Sequence, residues 1–422
     1  MIPVTAIPIG KEEIIAVFRS LFGSMNSGRD DVVKFEKDLA TYLGGGKVFA
    51  FNTGRTALYT ALRTLNLKRG DEIIVPAYTC AIVVEVVLRL GLKPILVDTD
   101  LQTYNIDSEL IPKAMCSKTK AIIPVHLFGQ PCEMTRIMEI AEKHSLYVIE
   151  DVAQALGAEH KKAKVGTFGD LAIFSFGPGK SVTSGEGGAL SVNRDELAEK
   201  VTGIGAEWPK PDFNWTLHAL KNIVGMKVFS NPYLYTLIRH YLERTLNMTD
   251  RKILQNCLWL AREENPINLS PTVLLTKMPG LSAQVGRIQL RKLDELNERR
   301  MMNARALTRL LNAVANSVQL PRIGNDGKNT FTRYPITIMK GSRDSVLEEL
   351  IRRGVDASKP YHYVIDLFKS LRVRPRNAIA IANNILTIPN HPAVKASHIL
   401  KIAGTLSDQL NAAPEHWKKH ED

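Results

Sequence analysis

The sequence predicts an α/β fold: a mostly parallel sheet covered by helices on both faces. Three observations carry that expectation. Seven short, β-rich apolar runs recur between residues 47 and 192, with helical stretches between several of them. The runs are continuously apolar rather than alternating, the pattern of strands buried on both sides. Polar and glycine-rich residues gather where the runs end, and in such sheets ligands sit beyond the carboxyl ends of the strands.

The strand-like runs are residues 48–51, 73–75, 94–97, 121–125, 147–149, 171–174 and 189–192, and helical patterns fall at 56–67, 80–90 and 134–144. Residues 207–262 differ in character. Eight aromatics crowd this stretch, about twice the density of the chain, and its basic residues outnumber its acidic ones eight to four. From 217 to 246 it reads as an amphipathic helix broken near Pro232. A charged helix over 289–311 leads into a last mixed segment, with strands at 332–338 and 385–388 and helices at 345–353 and 396–411. The expected organisation is a large domain over 1–206, an aromatic and basic helical insertion over 207–275, and a connector helix with a smaller C-terminal α/β domain over 276–422.

Composition narrows the class. The chain has 422 residues, too many for one small core. Its apolar runs fall short of a membrane span; the longest candidate, 73–84, contains Pro76 and stops at Glu85. No secretory signal opens the sequence. Cys80, Cys116, Cys132 and Cys257 show neither metal-ligand spacing nor a disulfide framework. These features indicate a cytoplasmic protein without a metal centre. The net charge of +12 accompanies no nucleic-acid-binding motif and suits phosphorylated small molecules or an anionic membrane surface.

The chemistry centres on Lys180. It sits in a glycine-dense loop between the runs 171–174 and 189–192, where a rigid frame can desolvate the amine, lower its pKa and ready it for Schiff-base chemistry. Three further elements end at the same sheet edge. The turn Asn52-Thr-Gly-Arg-Thr56 offers backbone N–H groups and a helix N-terminus to a phosphate, with Gly54, Arg55 and Thr56 as its members. Asp151 ends the 147–149 run and is placed to hold a pyridinium nitrogen protonated. Ser175 lies five residues before Lys180. His126 reads as a satisfied loop histidine rather than a base.

The order of these elements resembles the DegT/DnrJ/EryC1/StrS sugar aminotransferases, pyridoxal-phosphate enzymes of fold type I, related to aspartate aminotransferase. The matching residues include Lys34-Phe-Glu36, Gly70-Asp-Glu-Ile-Ile-Val-Pro76, Pro124-Val-His-Leu-Phe-Gly-Gln-Pro131, Ile149-Glu-Asp-Val-Ala-Gln154, Val165-Gly-Thr-Phe-Gly-Asp170, Phe174-Ser-Phe176 and Gly185-Glu-Gly-Gly188. Weaker matches resume at 289–300 and at Ile388-Pro-Asn-His-Pro392. The resemblance implies a seven-stranded sheet and pyridoxal 5'-phosphate as cofactor. Lys180 would be the Schiff-base lysine and proton carrier, and Asp151 the partner of the pyridine nitrogen. Gln154 would contact the phenolic oxygen, while Ser175, Gly54, Arg55 and Thr56 hold the phosphate. It further implies glutamate as amino donor, a keto sugar, commonly nucleotide-linked, as acceptor, and a homodimer.

Three features depart from the family pattern. Cys80 stands where many relatives stack an aromatic residue on the cofactor ring. Leu275-Thr-Lys277 stands in the register of the family's Asn-x-Arg element, lent by the neighbouring subunit. The 207–262 insertion is longer and more apolar than in compact relatives; it reads as extra core or dimer surface, or as a peripheral contact with an anionic membrane. Two alternatives accompany the aminotransferase reading. A sugar dehydratase of the same family would carry histidine in place of Lys180, and a non-catalytic binding or regulatory role is consistent with the missing Asn-x-Arg.

Overall fold

The computed structural model describes residues 1–6, 8–22, 27–245, 275–322 and 327–411. The strands in chain order are β1 (Lys47–Phe51), β2 (Glu72–Pro76), β3 (Lys93–Val97), β4 (Thr119–Ile122), β5 (Tyr147–Asp151), the short β6 (Glu159–His160) and β7 (Ala163–Lys164), β8 (Leu171–Ser175) and β9 (Gly188–Val192). All seven apolar runs join one sheet, in the order β1-β9-β8-β5-β4-β2-β3. The pairs from β8 through β3 are parallel, whereas β9 runs antiparallel to both β1 and β8. The α/β expectation holds, with one reversed strand.

Alternate residues of each strand face opposite layers. Ile73, Val75, Ala121, Ile149, Leu171 and Leu190 pack with Ala57, Leu58 and Leu62 of the helix Gly54–Thr64 and with Val83, Val84 and Val87 of Ala81–Arg89. The opposite face sends Ile74, Ile122 and Val148 against Ile137 and Ile140 of the helix Met134–His144. Beside them, Val48, Ala50, Ala172, Phe174 and Ala189 meet Phe35 and Leu39 of Ser27–Leu43 and Ala283 and Leu290 of Gly280–Arg291. Fully burying each such Val, Leu or Ile contributes about 1.5–3 kcal/mol.

The connector differs from the single helix expected over 289–311. Two helices, Gly280–Arg291 and Leu293–Leu311, meet at Lys292. The Lys292 ammonium reaches Glu12 at 2.9 Å and Glu13 at 3.0 Å, tying this joint to the N-terminal helix Lys11–Phe22. Further strands are β10 (Val318–Gln319), β11 (Gly327–Lys328), β12 (Tyr334–Ile338) and β13 (Ile385–Ile388). β10, β12 and β13 form a second, antiparallel sheet, while β11 pairs with β6. Tyr363, Val364, Phe368 and Ile381 bury themselves in the core of the large sheet, so the C-terminal segment is packed onto it.

Among the described residues the insertion contributes two helices, Phe213–Phe229 and Pro232–Thr245, interrupted where Pro232 opens the second. Ala219, Ile223 and Met226 join Ile9, Leu281 and Val285 in a common cluster. Phe213, Leu217, Val224, Tyr233, Leu237 and Tyr241 stay exposed. Trp259, Cys257 and the remainder of 246–274 lie outside the described residues.

Strand alternation also separates the two acids at the end of β5. Glu150 is fully buried and accepts the N–H groups of Gly166, Phe168 and Gly169, each at 2.8 Å. Its Oε2 also lies 3.2 Å from His126 Nε2. Glu150→Ala strands three backbone donors and should cost about 3 kcal/mol or more in urea unfolding. Glu150→Gln, which keeps one acceptor, should lose less.

Candidate active site

The reversed strand β9 assembles the site. Its first residue, Gly188, pairs with Phe51 on one side and Ser175 on the other. The loop 176–187 therefore leaves and re-enters the sheet at one edge, where the parallel strands also end. A Cβ on Gly188 would fall 2.2–2.3 Å from Thr53 C and O and Gly54 N, so the turn after β1 arches directly over this glycine. A Cβ on Gly54 would come 2.9 Å from Ser175 Cβ. The Gly54 turn and Ser175 thus touch only because both glycines lack side chains.

Thr53 caps the following helix, its Oγ1 accepting the Thr56 N–H at 3.1 Å. Thr56 is fully buried and donates its hydroxyl to Asn52 Oδ1 at 2.6 Å. That hydroxyl is spent holding the turn, leaving the helix N-terminus at Gly54 and Arg55, with the half-buried Ser175, as the donors at this edge.

Lys180 is half-buried. Desolvation pulls its pKa below the ordinary lysine value, and Arg333 adds to the depression; Cys80, Asp151 and Glu186 oppose it. Asp151 is buried, and burial raises its carboxyl, against the Ala153 N–H accepted at 2.9 Å and the charge of Lys180. Cys80 is half-buried at the start of the helix Ala81–Arg89; desolvation raises its thiol, while Lys180 pulls the other way. Lys180, Asp151 and Cys80 therefore share one electrostatic neighbourhood.

Gln154 is also at this edge but already engaged. Its Oε1 accepts the Phe128 N–H at 3.1 Å and its Nε2 donates to the Tyr361 hydroxyl at 2.5 Å. Tyr361 stacks on Phe128, with ring centroids 6.4 Å apart, and meets Tyr78 edge-on. His126 is satisfied on all sides. Its Nδ1 accepts the Cys132 N–H at 3.0 Å, which leaves the proton on Nε2 facing Glu150. The Leu275-Thr-Lys277 register lies beside the end of β1, where the Asn52 N–H donates to Thr276 O and Lys277 bridges Phe51.

Sequence reasoning assigned no role to four residues here. Thr79, next to Cys80, is fully buried and its hydroxyl has no partner among the described residues. Glu186 is held by Asn222 Nδ2 at 3.3 Å and His218 Nε2 at 3.5 Å, both from the insertion. Arg333 and Tyr361 come from the C-terminal segment. The available signal at Arg333 was the one charge in the strand-like run 332–338.

These features bring a desolvated lysine, a buried aspartate and a helix N-terminus to one sheet edge of an α/β fold. A family model described as the DegT/DnrJ/EryC1/StrS aminotransferase family matches residues 8–407, and the chain belongs to that family. It is 29% identical over 385 residues to a GDP-perosamine synthase of Caulobacter vibrioides, covering 90% of each chain. It is 32% identical over 354 residues to an uncharacterized protein of Methanocaldococcus jannaschii, covering 83% of this chain and 81% of that one. Among solved structures, an aminotransferase from Psychrobacter cryohalolentis superposes with a TM-score of 0.76 at 24% identity, covering 97% of this chain and 99% of that one. A sugar aminotransferase of Streptococcus pneumoniae described as the PLP form gives 0.76 at 20% identity, covering 98% and 99%.

The glycine at the sheet edge yields a paired test. Gly188→Ala forces backbone apart and should cost about 1–3 kcal/mol. Gly203→Ala, in the helix Asp195–Glu207 with open space around its Cα, should stabilise by about 0.5–1 kcal/mol. Chemical unfolding of the two variants should show opposite signs.

Proposed function

We propose that this aminotransferase uses pyridoxal 5'-phosphate to transfer an amino group from glutamate to a keto sugar carried on a nucleotide. The observation that carries the reading is Lys180: a desolvated amine in the field of a buried aspartate, beside a helix N-terminus that a Cβ would close. The donor set fits the group. A carboxyl, an amine and the Gly54 helix N-terminus with Ser175 packed against it stand at one edge, and the Thr79 hydroxyl has no partner among the described residues. The relatives named for GDP-perosamine and for a UDP-linked 3-dehydro-glucosamine substrate support the sugar class.

When bound, the cofactor supplies an aldehyde for the amino group and a ring that withdraws electrons from the reacting carbon. Gly54, Arg55 and Ser175 would hold the phosphate, with Thr56 fixing the turn. Asp151, raised by burial, would keep a proton at the ring nitrogen. Cys80 would pack beside the ring. Gln154 would orient the phenolic oxygen through its Nε2, exchanging its bond to Tyr361. The Lys180 amine, neutral at lower pH than a surface lysine, would hold and return the proton at the reacting carbon. The dehydratase alternative is disfavoured by the lysine itself, and the non-catalytic one by the intact Lys180–Asp151 neighbourhood.

Incubation with pyridoxal phosphate near pH 7.5 followed by borohydride should leave the phosphopyridoxyl group on Lys180 ahead of surface lysines; peptide mapping reads the position. Label spread over exposed lysines with Lys180 bare would remove the reading. Lys180→Ala should lower transamination at least about 100-fold, and glutamate should bleach the cofactor's visible band in the native protein alone.

We propose further that residues 1–206 carry the cofactor, that 276–422 close over it, and that the protein works as a cytoplasmic homodimer. The exposed stripe Phe213, Leu217, Val224, Tyr233, Leu237 and Tyr241 would rest on an anionic membrane surface, in keeping with the basic excess of 207–262. Among the described residues no helix is long and apolar enough to cross a membrane, so the contact would be peripheral. Vesicles containing phosphatidylserine should float the protein, and Leu237→Glu should abolish flotation. A dimer by sedimentation that does not float would assign the stripe to a subunit interface instead.

A further inference from the structure

We propose that Arg333 is an oxyanion-binding residue of the active site, gripping a carboxylate or phosphate of the incoming substrates from within the same subunit. The inference rests on the aminotransferase reading above. Its origin is the way the C-terminal segment is pinned across the Lys180 loop. Thr330 donates its N–H to Gly129 O, and Phe331 O accepts Asn390 Nδ2 at 2.8 Å. Thr332 bonds both to Ser181 Oγ, at 2.9 Å, and to the Gln154 carbonyl. Tyr334 is fully buried, with its hydroxyl 2.6 Å from that of Thr308. The residue between these anchors is Arg333, so its backbone has little freedom.

The side chain of Arg333 is half-buried, and Nη2 lies 3.9 Å from the Cβ position on Gly179, the residue before Lys180. It makes no ion pair or hydrogen bond among the described residues. A guanidinium offers five N–H donors in a fork shaped for carboxylate or phosphate. Partial burial without a counter-charge is unfavourable unless a ligand supplies one.

Its neighbours do not fill that place. Glu186, the acid of the same loop, is held by Asn222 and His218. Arg300, also close by, is 3% exposed and commits its donors to Asn297 Oδ1 at 2.7 Å and Ser181 O at 3.2 Å, so it fixes the loop from below. Arg333 alone of this pair is open to a ligand. An amino acid donor and a nucleotide-linked sugar both bring oxyanions to the cofactor. Where Leu275-Thr-Lys277 offers no arginine, Arg333 supplies one in cis.

The test uses the full-length protein loaded with pyridoxal phosphate, uptake being confirmed first by the visible band. Glutarate and inorganic pyrophosphate are then titrated separately by calorimetry into the native protein, Arg333→Gln and Arg333→Lys. In Arg333→Gln the Kd of at least one anion should rise about ten- to a hundredfold, with a smaller rise in Arg333→Lys. A rise for glutarate alone assigns the contact to the donor carboxylate, and a rise for pyrophosphate alone to the sugar carrier. As a readout independent of binding, the pH at which the Lys180–cofactor absorbance titrates should move upward in Arg333→Gln, because a neighbouring positive charge is gone. Unchanged Kd for both anions, or native loaded protein that binds neither, overturns the proposal. Native protein that never takes up the cofactor would instead remove the aminotransferase reading. Should Arg333→Gln fail to fold, Arg333→Lys decides: full native affinity with a guanidinium replaced by an ammonium would also overturn the forked contact.

Discussion

The antiparallel insertion of β9 between β1 and β8 is the constraint on which the site depends. In an all-parallel sheet the chain leaving β8 would cross to the far end before returning. Here it turns back at once, so the loop carrying Lys180 begins and ends at the edge where β1, β2 and β5 also finish. The contact that permits this is backbone on backbone. Gly188 sits beneath Thr53 and Gly54 at a distance no side chain could share. The Gly54 turn, Ser175 and the Lys180 loop are therefore set by the same two glycines, and a shift in one displaces all three.

Electrostatics then acts on what the sheet has placed. Desolvation is the largest influence on Lys180, Asp151 and Cys80, and it pushes each toward its neutral form. The mutual charges restrain that drift, because the amine and the carboxyl each favour ionisation of the other. Arg333 adds a smaller push against protonation of the lysine. The amine is thereby easier to deprotonate, and the carboxyl easier to protonate, than either would be on an exposed surface. The insertion takes part as well: Asn222 and His218 hold Glu186, and a Cβ on Gly185 would strike Ala219 O at 2.5 Å. Its first helix is thereby a wall of the lysine loop as well as a carrier of exposed apolar residues.

The sheet was legible because continuous apolar runs bounded by turns leave few alternatives, and all seven runs became its strands. Lys180, Asp151 and the Gly54 turn stand out in the sequence for a related reason: each lies at the end of an apolar run or in the loop just beyond it. What the pattern could not separate was the division of labour between adjacent polar residues. Glu150 and Asp151 look alike in sequence, yet alternation sends one into a cage of backbone N–H groups and the other toward the lysine. Thr56 reads as a phosphate donor, but its hydroxyl is consumed by Asn52. The charged run ending in Leu311 reads as one helix, whereas the structure divides it at Lys292, the residue whose ammonium is held by Glu12 and Glu13.

Residues brought from far along the chain were the hardest to foresee. Tyr361 reaches Gln154, and Thr332 reaches both Gln154 and Ser181, across intervals of more than 100 residues that no local period records. These contacts share a consequence. The segment 329–334 is fastened to the large sheet at Gly129, Gln154 and Ser181, and to its own sheet through Asn390, so it acts as a bridge whose underside faces the lysine loop. A bridge pinned on both banks can present one side chain at a fixed distance from the Lys180 loop without relying on a flexible loop. The residues of the sheet edge thus come from one stretch of chain, and those that span it from another. This explains why the first could be read from consecutive motifs while the second needed the fold.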